Sequence, residues 1–148
     1  MDDSPNPTPY DSPELYDLLF DSFDFDVAFW LGAAREAGGP VLEAACGTGR
    51  LLLPILKAGI DVEGFDASPA MIQRLKDKAA AAGLAVRAEV ADMRTFSLGR
   101  RYALIFCGFN GFAHCATIPD QVAFLRAARE HLAPGGVLAV HMSYPGPA

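Results

Sequence analysis

The sequence predicts an α/β fold, built on a doubly wound, mostly parallel sheet of about five strands with helices at the amino-terminal end. From residue 40 onward, apolar runs of strand length alternate with amphipathic stretches of helix length. The connections between them are short, which requires parallel strands joined by right-handed crossovers. The chain has 148 residues, of which 51% are hydrophobic and 20% charged, so it can bury the core of a single domain spanning 1–148.

The first elements are predicted from capping residues and breakers. Residues 1–12, MDDSPNPTPYDS, are polar and rich in proline, and they predict a mobile or extended arm. Ser12 followed by Pro13 marks the start of a short helix, because a hydroxyl caps the first turn and proline suits the first helical position. A second helix is predicted over 24–37, where a pair of glycines ends it.

The remaining elements form the alternating part of the chain. Ser68 and Pro69 mark the start of its second helix, and Gly83 follows the end of that helix. Strands are predicted over 41–45, 60–65, 84–90, 102–107 and 137–143, and helices over 50–58, 68–82 and 120–132.

Charge and composition exclude several classes of function. The net charge of −6 argues against nucleic acid or an anionic membrane surface as partner, because such binding relies on Lys and Arg. The apolar runs are shorter than a membrane span, and the first residues lack the features of a signal peptide. The three cysteines have no spacing typical of metal ligands and are interpreted as reduced thiols. These observations predict a cytoplasmic protein without a metal site.

Acidic, glycine and amide residues cluster where successive predicted strands end. Doubly wound sheets bind ligands at the carboxyl ends of their strands, where the strand order reverses. The residues at this edge are Glu43, Gly47, Gly49, Asp66, Asp92 and Asn110. The sequence therefore predicts a ligand site along this edge.

The stretch VLEAACGTGRLLLP, residues 41–54, indicates which ligand. A dinucleotide fingerprint needs a third glycine where this chain has Leu52, and a phosphate loop of the Walker type is absent from the sequence. Glu43 would repel a pyrophosphate and attract a cation. A ligand with adenine, ribose and an ammonium or sulfonium group fits these demands, and S-adenosylmethionine (SAM) is such a molecule.

Four blocks in order resemble class I SAM-dependent methyltransferases. EAACGTG at 43–49 is similar to the E/D-x-G-x-G-x-G signature, with Ala45 in place of the first glycine. GFDASPAM at 64–71, ADM at 91–93 and LAPGG at 132–136 continue the likeness. The resemblance implies a Rossmann-like core over 40–143 and an arm with lid helices over 1–39.

The resemblance assigns one group of residues to the methionine end of the cofactor. Glu43 would lie near the ammonium group, while Ala45, Gly47 and Gly49 would let the backbone approach the ligand. Cys107 would contact the methionine moiety.

A second group would hold the adenosine. Asp66 would accept hydrogen bonds from both ribose hydroxyls, and Asp92 one from the adenine amino group, although Asp92 also fits a turn. The Met93 backbone would meet the ring edge, with Ala67 and Met71 at the ring faces. Met71 fits a plain core position equally well.

The remaining candidates concern closure and chemistry. Tyr10 and Tyr16 resemble lid tyrosines whose ring faces attract a sulfonium, or they pack against the second helix. Cys46 belongs to the cofactor loop, as a small packing residue rather than a nucleophile. His114 would take a proton from an acceptor amine or orient it, or serve only as a loop or capping residue. Asn110 would hydrogen-bond the acceptor or cap its loop.

The resulting hypothesis is methyl transfer from SAM to nitrogen or oxygen of a small molecule, with S-adenosylhomocysteine (SAH) as product. The alternatives are a module that binds SAM or SAH without turnover and, more distantly, an NAD-dependent oxidoreductase. The family's last strands have no counterpart in the sequence, which leaves three explanations: a fragment of a longer enzyme, a short form that completes its sheet by pairing with a second copy, or a binding module. We therefore expect an exposed edge on the fifth strand, through which two copies could form a homodimer.

Overall fold

The computed structural model describes residues 8–143, and the expectations for 1–7 and 144–148 lie outside the described residues. All the strand pairings that it describes are parallel. The strands are β1 (Val41–Ala44), β2 (Val62–Asp66), β3 (Ala88–Val90), β4 (Tyr102–Cys107) and β5 (Leu132–Val140). Their order in the sheet is β3-β2-β1-β4-β5, which confirms the predicted doubly wound α/β fold.

The strand order places β1 at the centre of the sheet. From β1 the chain winds outward through β2 to β3, and then crosses back to β4 and β5 on the other side. The connections that follow β1 and β4 therefore leave their strands in opposite directions. A crevice opens at such a reversal point, at the carboxyl ends of the two strands.

Helices α1 and α4 begin where their capping residues predict, whereas the starts of the other three helices differ from the prediction by two or three residues. They are α1 (Pro13–Phe20), α2 (Val27–Ala37), α3 (Leu52–Lys57), α4 (Pro69–Ala81) and α5 (Ile118–His131). The Ser12 hydroxyl accepts a hydrogen bond from the Leu15 backbone nitrogen at 3.3 Å. The Ser68 hydroxyl accepts one from the Met71 backbone nitrogen at the same distance. Gly38 ends α2 in the left-handed conformation, with φ of 66°.

Apolar clusters cover both faces of the sheet. On one face, α2, α3 and α4 pack on β1 and β4, and the Trp30 ring stacks on Phe106 with 4.6 Å between ring centroids. On the other face, α5 packs Phe124 into a cluster with Phe65 and Phe96. Burial on both sides explains why the strands read as continuous apolar runs instead of alternating ones.

Several predicted boundaries were wrong. Residues 9–11 form a 3₁₀ turn with a reciprocal cap between Thr8 and Asp11, instead of an extended arm. The third strand begins at residue 88 because only three residues pair with β2.

The fifth strand begins at Leu132, five positions before its predicted start. Proline and two glycines in succession, as at 134–136, are typical of a turn, but the strand continues through them. A register shift between Tyr102 and Leu104 on β4 accommodates the extra residues. The pairing therefore begins directly after α5 ends.

None of the helices within residues 8–143 has the length and apolar character that a membrane crossing requires.

Candidate functional site

A cavity of about 270 Å³ opens at the carboxyl ends of β1, β2 and β4, where the strand order reverses. Its walls come from the loops after these strands, the start of α4, and the amino-terminal segment around α1. The lining residues are Tyr10, Tyr16, Glu43, Ala45, Cys46, Gly47, Arg50, Leu51, Asp66, Ala67, Ser68, Met71, Met93, Gly108, Phe109, Gly111 and His114. Most of the candidate site residues from the sequence are thus brought together in one place.

Glu43 is a buried acid with an unused hydrogen-bonding atom. Its side chain lies at the end of β1, the residue is 4% exposed, and Oε2 has no partner among the described residues. Burial is the main cause that raises the pKa of this carboxyl well above its ordinary value. The carboxylates of Asp66 and Asp26 act in the same direction, and the Arg50 guanidinium opposes them. A buried carboxylate of this kind needs a cation or a donor.

Asp66 joins two of the loops that form the cavity. Its Oδ2 accepts a hydrogen bond from the Gly47 backbone at 2.9 Å, and its Oδ1 accepts one from the Ser68 backbone at 2.9 Å. These two bonds fix the plane of the carboxylate. Each oxygen keeps a lone pair for a ligand hydroxyl, since a carboxylate offers about four acceptor sites.

The loop after β1 has positive φ at all three candidate approach positions, and two of these residues line the cavity. Ala45 has φ of 55° and Gly47 has φ of 55°. Ala45 thus adopts a glycine-like conformation at the position where the signature has glycine. A side chain added at Gly47 would meet the Tyr16 ring at 3.9 Å.

Gly49 does not line the cavity, although the sequence grouped it with the cofactor residues. Its φ is 91°, and an added Cβ would come within 2.2 Å of Leu75 Cδ1 on α4. In the structure this glycine lets α4 pack closely against the loop.

Two tyrosines form the roof of the cavity. The Tyr10 and Tyr16 rings are 5.9 Å apart, and Tyr10 meets the His114 ring edge-on at 5.1 Å. Burial, aided by the neighbouring Tyr10, raises the pKa of Tyr16 to about 12. The tyrosines therefore contact each other and the loop after β4 at the place where a lid is expected.

An ionic network fixes the roof to the body of the protein. The Asp17 carboxylate accepts hydrogen bonds from Thr48 Oγ1 at 2.6 Å, Arg74 Nε at 2.8 Å and Lys78 Nζ at 3.2 Å. Burial alone would raise the pKa of Asp17, but these three hydrogen bonds outweigh it and lower the pKa. Tyr16, the preceding residue, is thereby held over the loop after β1.

Sequence reasoning missed Arg50, a buried cation in the lining. Arg50 donates to both carboxylate oxygens of Asp26, at 2.6 and 2.9 Å, and to the Phe23 carbonyl oxygen at 2.7 Å. Its guanidinium also lies 4.5 Å from the centroid of the Phe109 ring. Its position directly after the glycine loop was the available signal, but its partners are distant in sequence.

Asp92 lies in an adjoining cavity that shares Ala67, Met93 and His114 with the first. Arg94 donates hydrogen bonds to the Asp92 carboxylate, from Nη2 to Oδ2 at 2.7 Å and from the backbone nitrogen to Oδ1 at 2.8 Å. The hydrogen bonds from the Arg94 side chain and backbone lower the pKa of Asp92 to about 2. The predicted adenine contact is therefore an ionised carboxylate beside the main cavity.

Cys107 and Asn110 also lie outside the lining. Cys107 is fully buried, and burial raises the pKa of its thiol above the ordinary value. The Asn110 amide nitrogen donates to Ser143 Oγ at 2.8 Å, and the Ser143 backbone donates back to the amide oxygen. In the structure the Asn110 side chain thus joins the loop after β4 to the residues that follow β5. Residues 8–143 hold no cluster of His, Cys, Asp or Glu suited to a metal ion.

Comparisons with known proteins agree with this geometry. Residues 41–136 match a family model described as "Methyltransferase domain". The chain is 31% identical over 134 residues to the dTDP-3-amino-3,6-dideoxy-alpha-D-glucopyranose N,N-dimethyltransferase of Streptomyces fradiae, covering 86% of this chain and 51% of that protein. A related N,N-dimethyltransferase for a dTDP-linked trideoxy amino sugar, from Streptomyces venezuelae, is 28% identical, with coverage of 88% and 56%. This chain spans about half the length of these curated relatives.

Solved structures that are similar to this chain are also methyltransferases. The CcbJ methyltransferase from Streptomyces caelestis is 36% identical with a TM-score of 0.70, covering 79% of this chain and 48% of that one. SAM-bound CalS10, an amino pentose methyltransferase from Micromonospora echinaspora, is 27% identical with a TM-score of 0.74, covering 97% and 60%.

Proposed function

Since this chain belongs to the methyltransferase-domain family, we propose that it transfers a methyl group from SAM to a nitrogen atom of a small-molecule acceptor. The sequence left nitrogen and oxygen open as targets. Nitrogen is favoured because both curated relatives described above are named as N,N-dimethyltransferases. The product from the cofactor would be SAH.

The observation that carries this proposal is the unpartnered Oε2 of Glu43. It lies buried at the cavity wall, beside the Asp66 carboxylate, and it would accept a hydrogen bond from the ammonium group of SAM. A pyrophosphate at the same place would face both carboxylates, which weighs against a dinucleotide. The residues present therefore fit a cationic adenosyl ligand.

The other lining residues fit the remaining parts of that ligand. Asp66, oriented by Gly47 and Ser68, would accept the ribose hydroxyls. Ala67, Met71 and Met93 supply an apolar slot for the adenine ring, with Asp92 beside it in the adjoining cavity.

When bound, SAM supplies a methyl group on a sulfonium, so that a C–N bond forms as the C–S bond breaks and the electron pair stays on sulfur. The task of the protein is to align the acceptor and to exclude water. Tyr10 and Tyr16 cover the cavity and would present their rings to the sulfonium. His114, held against Tyr10, would accept the proton that the amine must lose.

The proposal is tested by calorimetry with SAM, SAH and NAD, followed by measurement of SAH release with a panel of amines, amino sugars and alcohols. We expect binding of SAM and SAH, no binding of NAD, and SAH release with amino compounds. Binding of SAM and SAH, but no SAH release with any of the acceptors, would favour a binding module. Binding of NAD alone would favour an oxidoreductase and would reject the proposal.

The homodimer predicted from the sequence stays a proposal. Within residues 8–143, β5 pairs with β4 on one side only, and Val137 on β5 is 56% exposed. Light scattering at high protein concentration tests it, and a strict monomer would reject pairing across β5.

A further inference from the structure

Four phenylalanine rings form a cluster that continues from the cavity onto the surface. Phe109 lines the cavity, and its ring centroid lies 5.4 Å from Phe20, 6.2 Å from Phe23 and 6.3 Å from Phe25. Phe23 is 43% and Phe25 67% exposed. We call Phe20, Phe23, Phe25 and Phe109 the phenylalanine cluster. Contiguous exposed aromatic surface at the edge of a cavity is typical of a ligand-binding surface.

The phenylalanine cluster is held in place by polar contacts beneath it. Arg50 lies 4.5 Å from the Phe109 ring centroid and 5.9 Å from that of Phe25, and it donates to the Phe23 carbonyl oxygen. Phe109 has φ of 50°, a left-handed conformation that costs energy for a residue with a side chain. Both features fix the ring positions before any ligand arrives.

The charges around the cavity do not suit a diphosphate. Arg50 is the one Lys or Arg among the described lining residues, and both oxygens of Asp26 occupy it. On α4, which supplies Met71 to the lining, Arg74 and Lys78 are paired with Asp17. A nucleoside diphosphate would need free cationic donors, because its charged phosphate oxygens lose hydrogen bonds to water on binding. Donors of the protein have to replace those hydrogen bonds.

We propose that the methyl acceptor is an amine carried on an apolar or aromatic body that lies on the phenylalanine cluster, and not a sugar linked to a nucleoside diphosphate. This inference rests on the proposed methyltransferase function and names its substrate class. The amine would enter the cavity beneath Tyr10 and Tyr16, while the apolar body would cover Phe23 and Phe25. The overall charge of −6 favours a neutral or cationic acceptor in the same way.

The test compares two acceptors that share one amino sugar, an aryl glycoside and a nucleoside diphosphate ester. Binding of each to the protein saturated with SAH is measured by calorimetry, and turnover is measured with SAM. We expect the aryl glycoside to bind at least about tenfold more tightly, the ratio for one well-buried apolar group. Tighter binding of the nucleotide-linked sugar, or no binding of the aryl glycoside, would overturn the inference.

Two matched variants locate the acceptor. Phe25→Ser removes a ring of the phenylalanine cluster that is 67% exposed, whereas Phe29→Ser removes one that is 66% exposed and pairs with Trp30. We expect Phe25→Ser to weaken aryl glycoside binding about tenfold with unchanged SAH affinity, and Phe25→Leu to restore part of it. Equal effects of Phe25→Ser and Phe29→Ser would overturn the inference. Failure of the unaltered protein to bind SAH would instead reject the proposed function.

Discussion

The Asp17 carboxylate accepts a hydrogen bond from the Thr48 hydroxyl at 2.6 Å, and this contact joins α1 to the loop after β1. We expect Asp17→Asn to lower the free energy of unfolding by about 1–3 kcal/mol, the range for a hydrogen-bonded charged group. SAM binding should also weaken, because Tyr16 would no longer be held over Gly47. Urea denaturation and calorimetry measure the two effects. Asp21→Asn is the control, since Asp21 is exposed and its carboxylate pairs only with Lys78 among the described residues. Equal losses in both variants would contradict the special role of Asp17.

The raised pKa of Glu43 predicts opposite changes in stability and in binding for Glu43→Gln. The folded state holds the Glu43 proton more tightly than the unfolded state, so this group stabilises the fold fully below its ordinary pKa of 4.5. That contribution is lost as the pH rises through the folded pKa. At neutral pH we therefore expect Glu43→Gln to be more stable than the unaltered protein, by ~1–3 kcal/mol, and to bind SAM more weakly.

The same carboxyl predicts that SAM binding releases a proton. The ammonium group favours ionised Glu43, so the affinity for SAM should increase with pH until Glu43 is ionised without ligand. Calorimetry in two buffers of different ionisation enthalpy measures the released proton. Glu43→Gln should abolish this release, and Glu89→Gln, a change at an exposed strand position, should preserve it. Proton release that persists in Glu43→Gln would assign it to another group.

Asp66→Ala should weaken SAM binding by about 1–3 kcal/mol, because the ribose hydroxyls would lose a charged acceptor. The change also removes the acceptor of the Gly47 backbone, so the thermal midpoint should fall as well. Asp77→Ala on α4 is the control, because the Asp77 carboxylate accepts a side-chain hydrogen bond only from Gln73 among the described residues. Unchanged SAM affinity in Asp66→Ala would show that the ribose lies elsewhere.

Gly49→Ala and Gly59→Ala separate crowding from backbone strain. Both glycines have positive φ, 91° and 81°, but an added Cβ would meet Leu75 at position 49 and nothing within 4 Å at position 59. We expect Gly59→Ala to lower the free energy of unfolding by about 1–2 kcal/mol, from backbone strain alone. Gly49→Ala should lower the free energy of unfolding by a further amount of roughly 1–3 kcal/mol, because the added methyl group overpacks against α4. Chemical denaturation measures both, and equal losses would mean that Leu75 moves aside freely.

His114→Phe keeps a ring against Tyr10 but removes the proton acceptor. If His114 acts as the base, kcat should fall by about 10²-fold with little change in KM in steady-state kinetics. His114→Gln, which retains hydrogen bonding but not basicity, should show the same loss of kcat. An unchanged kcat in both variants would leave His114 as a packing partner of Tyr10.

The sequence predicted that residues at the carboxyl ends of neighbouring strands would meet in one place. Glu43 and Asp66 end adjacent parallel strands, so their meeting in one cavity follows from the α/β pattern alone. Arg50 could not be assigned in this way, because its partner Asp26 is 24 positions away and is brought close by packing of α2. Phe109 was missed for a similar reason, since its left-handed backbone and ring contacts depend on the folded loop.

The differences in the fold have a similar origin. A proline and two glycines before residue 137 indicate a turn locally, but pairing with β4 extends the strand through them. Long-range hydrogen bonding thus overrides local preference at that position. Asp92 is different, because its partner Arg94 is only two positions later in the chain. The ion pair between these two side chains therefore had a signal in the local sequence.

The contacts of Gly111 have a consequence for engineering. A side chain there would come within 2.7 Å of Cys107 Sγ and 3.1 Å of the Ala45 methyl, and one at Gly108 would collide with Leu51. The cavity wall at these two positions is therefore main chain, whose shape cannot be altered by exchanging side chains. Attempts to reshape the cavity would have to change side chains such as Tyr10 and Phe109, while the wall formed by Gly108 and Gly111 stays constant.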